Sequence, residues 1–245
     1  MKLLEDINPA RVLFLDIETV PVVSSYDELS PEFQLLWEKK SAFFRTGEQG
    51  PGDVFSRAGI YAEFGKIVCI SVGILTGPES SLSLRLKSFY SGNEKELLED
   101  FSVMLNNFST NKEAVLCAHN GKEFDYPYIA RRMLINGLKI PGLLDNAGKK
   151  PWEVNLLDTM ELWKFGDYKN YTSLALLAGL MGIATPKDDI DGSMVADVYW
   201  KENDTERIAR YCEKDVIALT QVFLKFRNNN ICLLYTSDAA DEEDS

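Results

Sequence analysis

Two acids with one residue between them, Asp16 and Glu18, stand at the end of the apolar run Arg11 to Ile17 (RVLFLDI). Residues two apart on a β-strand project from the same face, so the two carboxylates stand side by side. Paired carboxylates repel, and without a cation one of them tends to hold a proton. A divalent metal removes that conflict, whereas a Glu18 solvated beyond the strand end needs no ligand at all. A second group, His119-Asn120-Gly121-Lys122-Glu123-Phe124-Asp125-Tyr126-Pro127, carries a buried strand through a glycine turn into a helix. Asp125 is placed there as the N-cap, which by itself explains an aspartate. A third, Tyr211-Cys212-Glu213-Lys214-Asp215, lies in the last helix, where positions four apart share a face and bring the Tyr211 hydroxyl and the Asp215 carboxylate together. A solvent-facing pair explains that spacing equally well.

Other chemistries have little to work with. The 245 residues contain one histidine, His119, so a His-rich metal site or a Ser-His-Asp triad is hard to build. Cys69, Cys117, Cys212 and Cys232 are widely spaced and read as core thiols, since they form neither a CxxC pair nor a disulfide framework. The segment Gly142 to Lys150 has one residue too many between its glycines for a phosphate loop and lacks the hydroxyl residue after lysine that would hold Mg2+, so it reads as a plain loop. No G-x-G-x-x-G follows a strand, which disfavours a Rossmann-type nucleotide regulator. A formal charge of −12 argues against a protein that coats duplex DNA with a broad basic face. No apolar run approaches membrane-spanning length and Met1 to Ala10 lacks a signal-like stretch, so the chain is expected in the cytosol, with no membrane partner.

The elements that must position these residues follow from periodicity. Strands are expected at Arg11 to Ile17, Lys66 to Leu75, Ser81 to Phe89, Ala114 to Ala118 and Asn155 to Leu157, the second and third joined by a hairpin at Gly77-Pro78. Helices are expected at Glu94 to Phe108, Tyr126 to Asn136, Thr172 to Met181 (capped by Thr172), Ser193 to Lys201 and Thr205 to Phe226 (capped by Asp204 or Thr205). The stretch of about 45 residues from Pro21 to Gly65 is too long for a bare loop and reads as a part-helical insertion, with an amphipathic piece at Pro31 to Phe44. Leading strands followed by alternating helices and strands give an α/β class with a mixed sheet.

Separately weak, the three groups gain weight from their order: D-x-E on the first strand, H-N-x-x-x-F-D about a hundred residues on, and Y-x-x-x-D near the end. In that order they resemble the three exonuclease motifs of the DEDD superfamily. The resemblance runs from about Val12 to Phe226 and is to its Tyr-containing (DEDDy) subgroup, since Arg210 occupies the position where the His subgroup carries histidine. The chain is similar to the predicted bacterial 3'-5' exonucleases related to the proofreading domain of family B DNA polymerases. The resemblance implies an RNase H-like fold, a five-stranded mixed sheet flanked by helices with the first strand central.

It also implies a site. Asp16, Glu18, Asp125 and Asp215 would hold two Mg2+ or Mn2+ ions about 3.5 to 4 Å apart, and Tyr211 would orient the attacking water. Asn120, Thr19 and Phe124 would contact the substrate strand. The implied substrate is a single-stranded or frayed nucleic-acid 3' end, DNA rather than RNA, reached alone or with a repair or replication partner. An RNase D-like exoribonuclease and an inactive nucleic-acid-binding module of the same fold stand as alternatives. Lys139, Lys149 and Lys150 near Trp152 could line a strand channel or could be solvated loop lysines.

From Cys232 to Ser245 (CLLYTSDAADEEDS) the chain loses relation to the preceding helix and resembles the in-frame translation of a transposon-type sequencing adapter. The expectation is one exonuclease domain over 1–231, with the insertion at about 21–65, followed by a foreign tail over 232–245. The tail contributes five acids and no base, so the remainder carries −7.

Overall fold

The computed structural model describes residues 1–78, 81–167, 169–184, 189–227 and 234–237. Its centre is β1 (Val12–Pro21), a strand with apolar residues on both faces because both are covered. Leu13, Leu15 and Ile17 enter one core, while Val12 and Phe14 enter the other, where Phe14 meets Phe223 edge-on at 5.1 Å. The remaining strands are β2 (Gly65–Thr76), β3 (Ser83–Tyr90), β4 (Val115–Ala118), β5 (Leu156–Asp158) and β6 (Leu234–Ser237). Their order is β5-β4-β1-β2-β3-β6. β2 is antiparallel to β1 and to β3, whereas β1-β4, β4-β5 and β3-β6 are parallel.

The described helices are α1 (Lys2–Glu5), α2 (Pro31–Ser41), α3 (Glu94–Phe108), α4 (Asp125–Ile135), α5 (Thr159–Lys164), α6 (Leu174–Leu180), α7 (Val195–Asp197) and α8 (Thr205–Phe226). Among them, none is long and apolar enough to cross a membrane. α3 and α4 pack on one face of the sheet, with Leu97, Phe101, Leu105, Ile129 and Met133 in the core that β1 enters through Leu15. α8 crosses the other face, burying Val216, Leu219 and Phe223. Asn93 caps α3 through the Lys95 amide, and Asp204 caps α8 through the Arg207 amide.

A buried ion pair fixes α4 to the rest. Glu94 receives Arg132 Nε at 2.8 Å and Nη2 at 2.5 Å, the Ile67 amide at 2.7 Å and Asn136 Nδ2 at 2.9 Å, while Arg132 Nη1 donates to the Ala62 carbonyl at 2.8 Å. Charge and lone pairs are thus satisfied away from water, the condition for tolerating such a pair. The insertion between β1 and β2 has its own small core around Trp37, which is fully buried, donates to the Pro51 carbonyl at 2.8 Å and is ringed by Phe44, Phe55, Tyr61 and Phe64. Its helical content is α2 and two 3₁₀ segments, Tyr26–Glu28 and Gly52–Ile60.

Four expectations need correction. Among the described residues the sheet has six strands, because the extended segment Leu234–Ser237 pairs with the outer edge of β3, which five strands would leave open. α4 starts at Asp125 with Phe124 in the capping position, because the Asp125 side chain is engaged elsewhere. α6 is capped by Ser173, whose hydroxyl accepts from the Leu176 amide, rather than by Thr172. The helix expected at Ser193 to Lys201 divides into three-residue α7 and a π-helical turn over Val198–Glu202. The hairpin tip at 79–80, part of the segment after α6 (185–188) and most of the tail lie outside the described residues.

Candidate active site

β1 presents Asp16 and Glu18 on the face covered by α8, with Glu18 buried and Asp16 partly so. At this point the β1-β2 register slips: Glu18 lies opposite Cys69 and Thr19 opposite Ile67, leaving Val68 as the extra residue of a bulge. Such a bulge bends the strand and re-aims the side chains beside it. On its other edge β1 is paired with β4 only as far as Phe14. The next stretch of backbone therefore lacks a ladder partner on that side, and Asp125 supplies one, its carboxylate accepting from the Ile17 amide as well as from its own. That bond joins the second group of acids to the first, and explains why Asp125 is not the cap.

The third group arrives on α8. Cys212 Sγ lies 3.5 Å from Asp16 Oδ2 and 3.4 Å from the Asp16 carbonyl, and a ligand atom from each of Asp16, Glu18 and Cys212 falls within 4.8 Å of the others. One turn along, Asp215 stands close enough to raise the proton affinity of both Asp16 and Glu18, and it shares a hydrogen bond with the Tyr211 hydroxyl. All five expected residues, Asp16, Glu18, Asp125, Tyr211 and Asp215, are thus brought together.

The electrostatics are those of like charges crowded away from water. Burial, then Asp215, Asp125 and Glu18, push Asp16 well above the carboxylate range. Glu18 is raised by burial, then by Asp215, Cys69 and Asp125. Asp125 is raised from its ordinary 3.8 to about 7, chiefly by burial, with the Asp158 charge adding and its two amide bonds opposing. Burial and the acids around it also push the Tyr211 phenol and the Cys212 thiol up, so both remain protonated donors. With Cys212 as a thiol rather than a thiolate, the donor set is carboxylate oxygen, which suits a hard divalent cation such as Mg2+ or Mn2+.

The turn before α4 is held by groups outside that set. Asp158 is buried at the end of β5, and its carboxylate accepts four backbone amides: Asn120 at 3.0 Å, Lys122 at 3.1 Å, Met160 at 2.9 Å and Glu161 at 3.2 Å. His119 Nε2 faces the Thr172 carbonyl at 2.8 Å, a partner that only an N–H can satisfy, so Nδ1 accepts from the Thr159 hydroxyl at 2.9 Å. His119 is thus a pin between β4, α5 and the segment before α6. Asn120 takes a left-handed φ of 64°, and a Cβ on Gly121 would collide with Ala118 Cβ.

The three expected substrate contacts are placed differently from one another. Asn120 borders a cavity of about 290 Å3 that also touches Lys122 and Lys164, and its buried Oδ1 has no hydrogen-bond partner among the described residues. Phe124 is half-buried against Tyr128, ring centres 5.3 Å apart. Thr19 gives its hydroxyl to Tyr128, which in turn donates to the Gly59 carbonyl at 2.7 Å. Trp152 is exposed with Lys150 Nζ 5.2 Å from its ring centre. Sequence reasoning missed Cys212 and Asp158. The position of Cys212 three residues before Asp215 was the available signal for the thiol; no spacing signalled Asp158.

With this geometry in hand, the comparisons with known proteins are specific. The model of a family described as "Predicted 3'-5' exonuclease related to the exonuclease domain of PolB" matches residues 60–239, taking in His119–Asp125 and Tyr211–Asp215. No curated protein matches the sequence. Among solved structures, the family B DNA polymerase from the hyperthermophilic archaeon Pyrobaculum calidifontis matches at 18% identity with a TM-score of 0.53, covering 89% of this chain and 24% of the polymerase. The chain therefore spans about a quarter of the polymerase's length, and the likeness is one of fold: an open, mixed, RNase H-like sheet flanked by helices.

Proposed function

The chain belongs to the family of predicted 3'-5' exonucleases related to the exonuclease domain of PolB, and from that premise we propose that it hydrolyses the terminal phosphodiester at the 3' end of single-stranded or frayed DNA. The observation that carries this reading is the convergence of Asp16, Glu18, Asp125 and Asp215 beside a protonated Tyr211. In this reading residues 1–231 are the catalytic domain and the four acids hold two Mg2+ or Mn2+ ions. Bound cations would neutralise the phosphate and acidify a water.

The chain's own residues do the rest. Water attacks the terminal phosphorus in line, the bond from phosphorus to the neighbouring 3' oxygen breaks, and that oxygen takes a proton. The products are a nucleoside 5'-monophosphate and a strand one nucleotide shorter with a 3'-hydroxyl. Tyr211 gives its proton to the hydrogen bond with Asp215, leaving the phenol oxygen to accept from the attacking water and orient it. As a base it is unsuited, since its surroundings raise its pKa. Asn120, Phe124 and the backbone at Thr19 contact the strand.

The test is a time course on a 5'-labelled single-stranded DNA oligonucleotide in Mn2+, with EDTA, the Asp16→Ala variant and a matched RNA oligonucleotide alongside. A ladder shortening from the 3' end, absent in both controls and slower on RNA, is expected. Preferential shortening of RNA would move the assignment to an exoribonuclease. Intact oligonucleotides with a folded protein that binds no Mn2+ would replace both with a non-catalytic module.

A further inference from the structure

Three residues beyond Glu18, β1 ends at Pro21 against a cavity of about 360 Å3, within the range of small-molecule sites. The insertion supplies one wall through Tyr26 and Phe55, and the π-helical turn supplies the other through Trp200 and Lys201. We propose that this cavity is the subsite that receives a base of the substrate strand, packed against the Trp200 and Tyr26 rings. The proposal rests on the exonuclease reading and deepens it.

Position is the first reason. A strand advances about 3.3 Å per residue, so Pro21 lies about 10 Å along β1 from Glu18, within reach of a nucleotide adjoining the scissile phosphate. The π-helical turn is also anchored to the acidic cluster, because Val198 and Tyr199 share a small core with Val20, Cys69 and Cys212. π-helical turns of this kind occur frequently at functional sites.

Chemistry is the second. Tyr26 and Trp200 are half-buried and their placement is fixed: Trp200 Nε1 donates to the Pro21 carbonyl at 3.3 Å, and Tyr26 meets Phe55 edge-on at 6.2 Å. Lys66 Nζ lies 4.5 Å from the Trp200 ring centre and 2.9 Å from the Tyr199 hydroxyl, placing a cation behind the aromatic wall. Aromatic faces next to positive charge are the elements of sequence-tolerant single-strand binding. A chain that carries −7 even without its tail gains little from phosphate contacts, so stacking supplies the affinity that salt does not screen. Of the polar groups that line the cavity, the Ser24 hydroxyl is taken by Glu28 at 2.7 Å and Lys201 Nζ by Asp197 at 2.8 Å.

The test measures binding of a 5'-labelled dT oligonucleotide to the full chain carrying Asp16→Ala, which does not cleave it, against the same oligonucleotide with its last two positions abasic. Loss of the bases is expected to weaken binding about tenfold, as removal of base stacking does. Adding Trp200→Ala, or independently Tyr26→Ala on the opposite wall, should erase that difference, with circular dichroism confirming each fold. Equal binding of intact and abasic strands overturns the proposal and leaves the exonuclease reading standing, as does a difference that survives both substitutions. Failure of the folded protein to bind either strand overturns both.

Discussion

Asp125→Asn should make the metal-free protein less sensitive to alkali while removing its activity. Asp125 binds its proton with a pKa of about 7 in the folded chain, against an ordinary 3.8. Between those values the folded state holds a proton that the unfolded chain has released, so stability must fall as pH rises through that window. From pH 5.5 to 7 one such group costs about 1.5–2 kcal/mol, the limiting slope of about 1.4 kcal/mol per pH unit easing as the group nears half-titration. Asp16 and Glu18, both raised, slope the same way. An asparagine side chain keeps an oxygen to accept from the Ile17 amide and from the amide of its own residue, and it cannot ionise. The variant should therefore lose about 1.5–2 kcal/mol less over the same interval. The assay is urea unfolding in EDTA at pH 5.5, 7 and 8 for both proteins, repeated with Mn2+. Mn2+ should restore the parent's stability at pH 8 by more than the variant's, since only the parent has the full set of charges to neutralise. Equal pH slopes for the two proteins, or a parent that grows more stable from pH 5.5 to 7, would refute the account of buried, mutually repelling carboxylates.

Tyr211→Phe removes only the hydroxyl shared with Asp215 and should lower kcat by about 10- to 100-fold with Mn2+ affinity unchanged, measurable by single-turnover cleavage beside calorimetry. Because the phenol acts as a donor, the parent's rate should show no titration of Tyr211 up to about pH 9.5. Glu94→Ala strands Arg132 in the core and should cost about 3–5 kcal/mol in thermal or urea unfolding. Gly121→Ala, whose new methyl would collide with Ala118 Cβ, should displace the turn and lower activity more than stability; unchanged cleavage would show that the turn has slack. Among the described residues, ending the chain at Asn230 removes the four-residue pairing of β6 with β3, and it should leave the circular dichroism spectrum and oligonucleotide cleavage intact.

The long elements were legible because each has one dominant periodicity. α8 runs over the expected Thr205–Phe226 and α3 over Glu94–Phe108, since their apolar stripes meet a sheet face and their caps are ordinary Asp and Asn caps. The carboxylates were legible through the order of the three motifs. What escaped depends on contacts between distant residues. Asp125 looked like a cap because its acceptor role toward Ile17, over a hundred positions earlier, leaves no mark in local sequence. Thr172 looked like a cap because nothing local shows that His119 claims its carbonyl. The ring of aromatics around Trp37 is spread on both sides of a Gly-rich stretch, where no helical or strand period survives. Cys212 read as a core thiol because a buried cysteine is ordinary, and its bond to Asp16 spans 196 residues.

On the exonuclease reading, that span governs when the site is complete. β1 brings its two acids long before α8 is made, and Tyr211 and Asp215 ride on α8. A growing polypeptide therefore carries Asp16, Glu18 and Asp125 but neither Tyr211 nor Asp215 until α8 has emerged and crossed the sheet. Contacts of such separation form late and slowly in folding. Hydrolytic competence is then a certificate of completion: on this reading, a chain stopped before α8 can neither trim a strand nor hold the cations needed to do so.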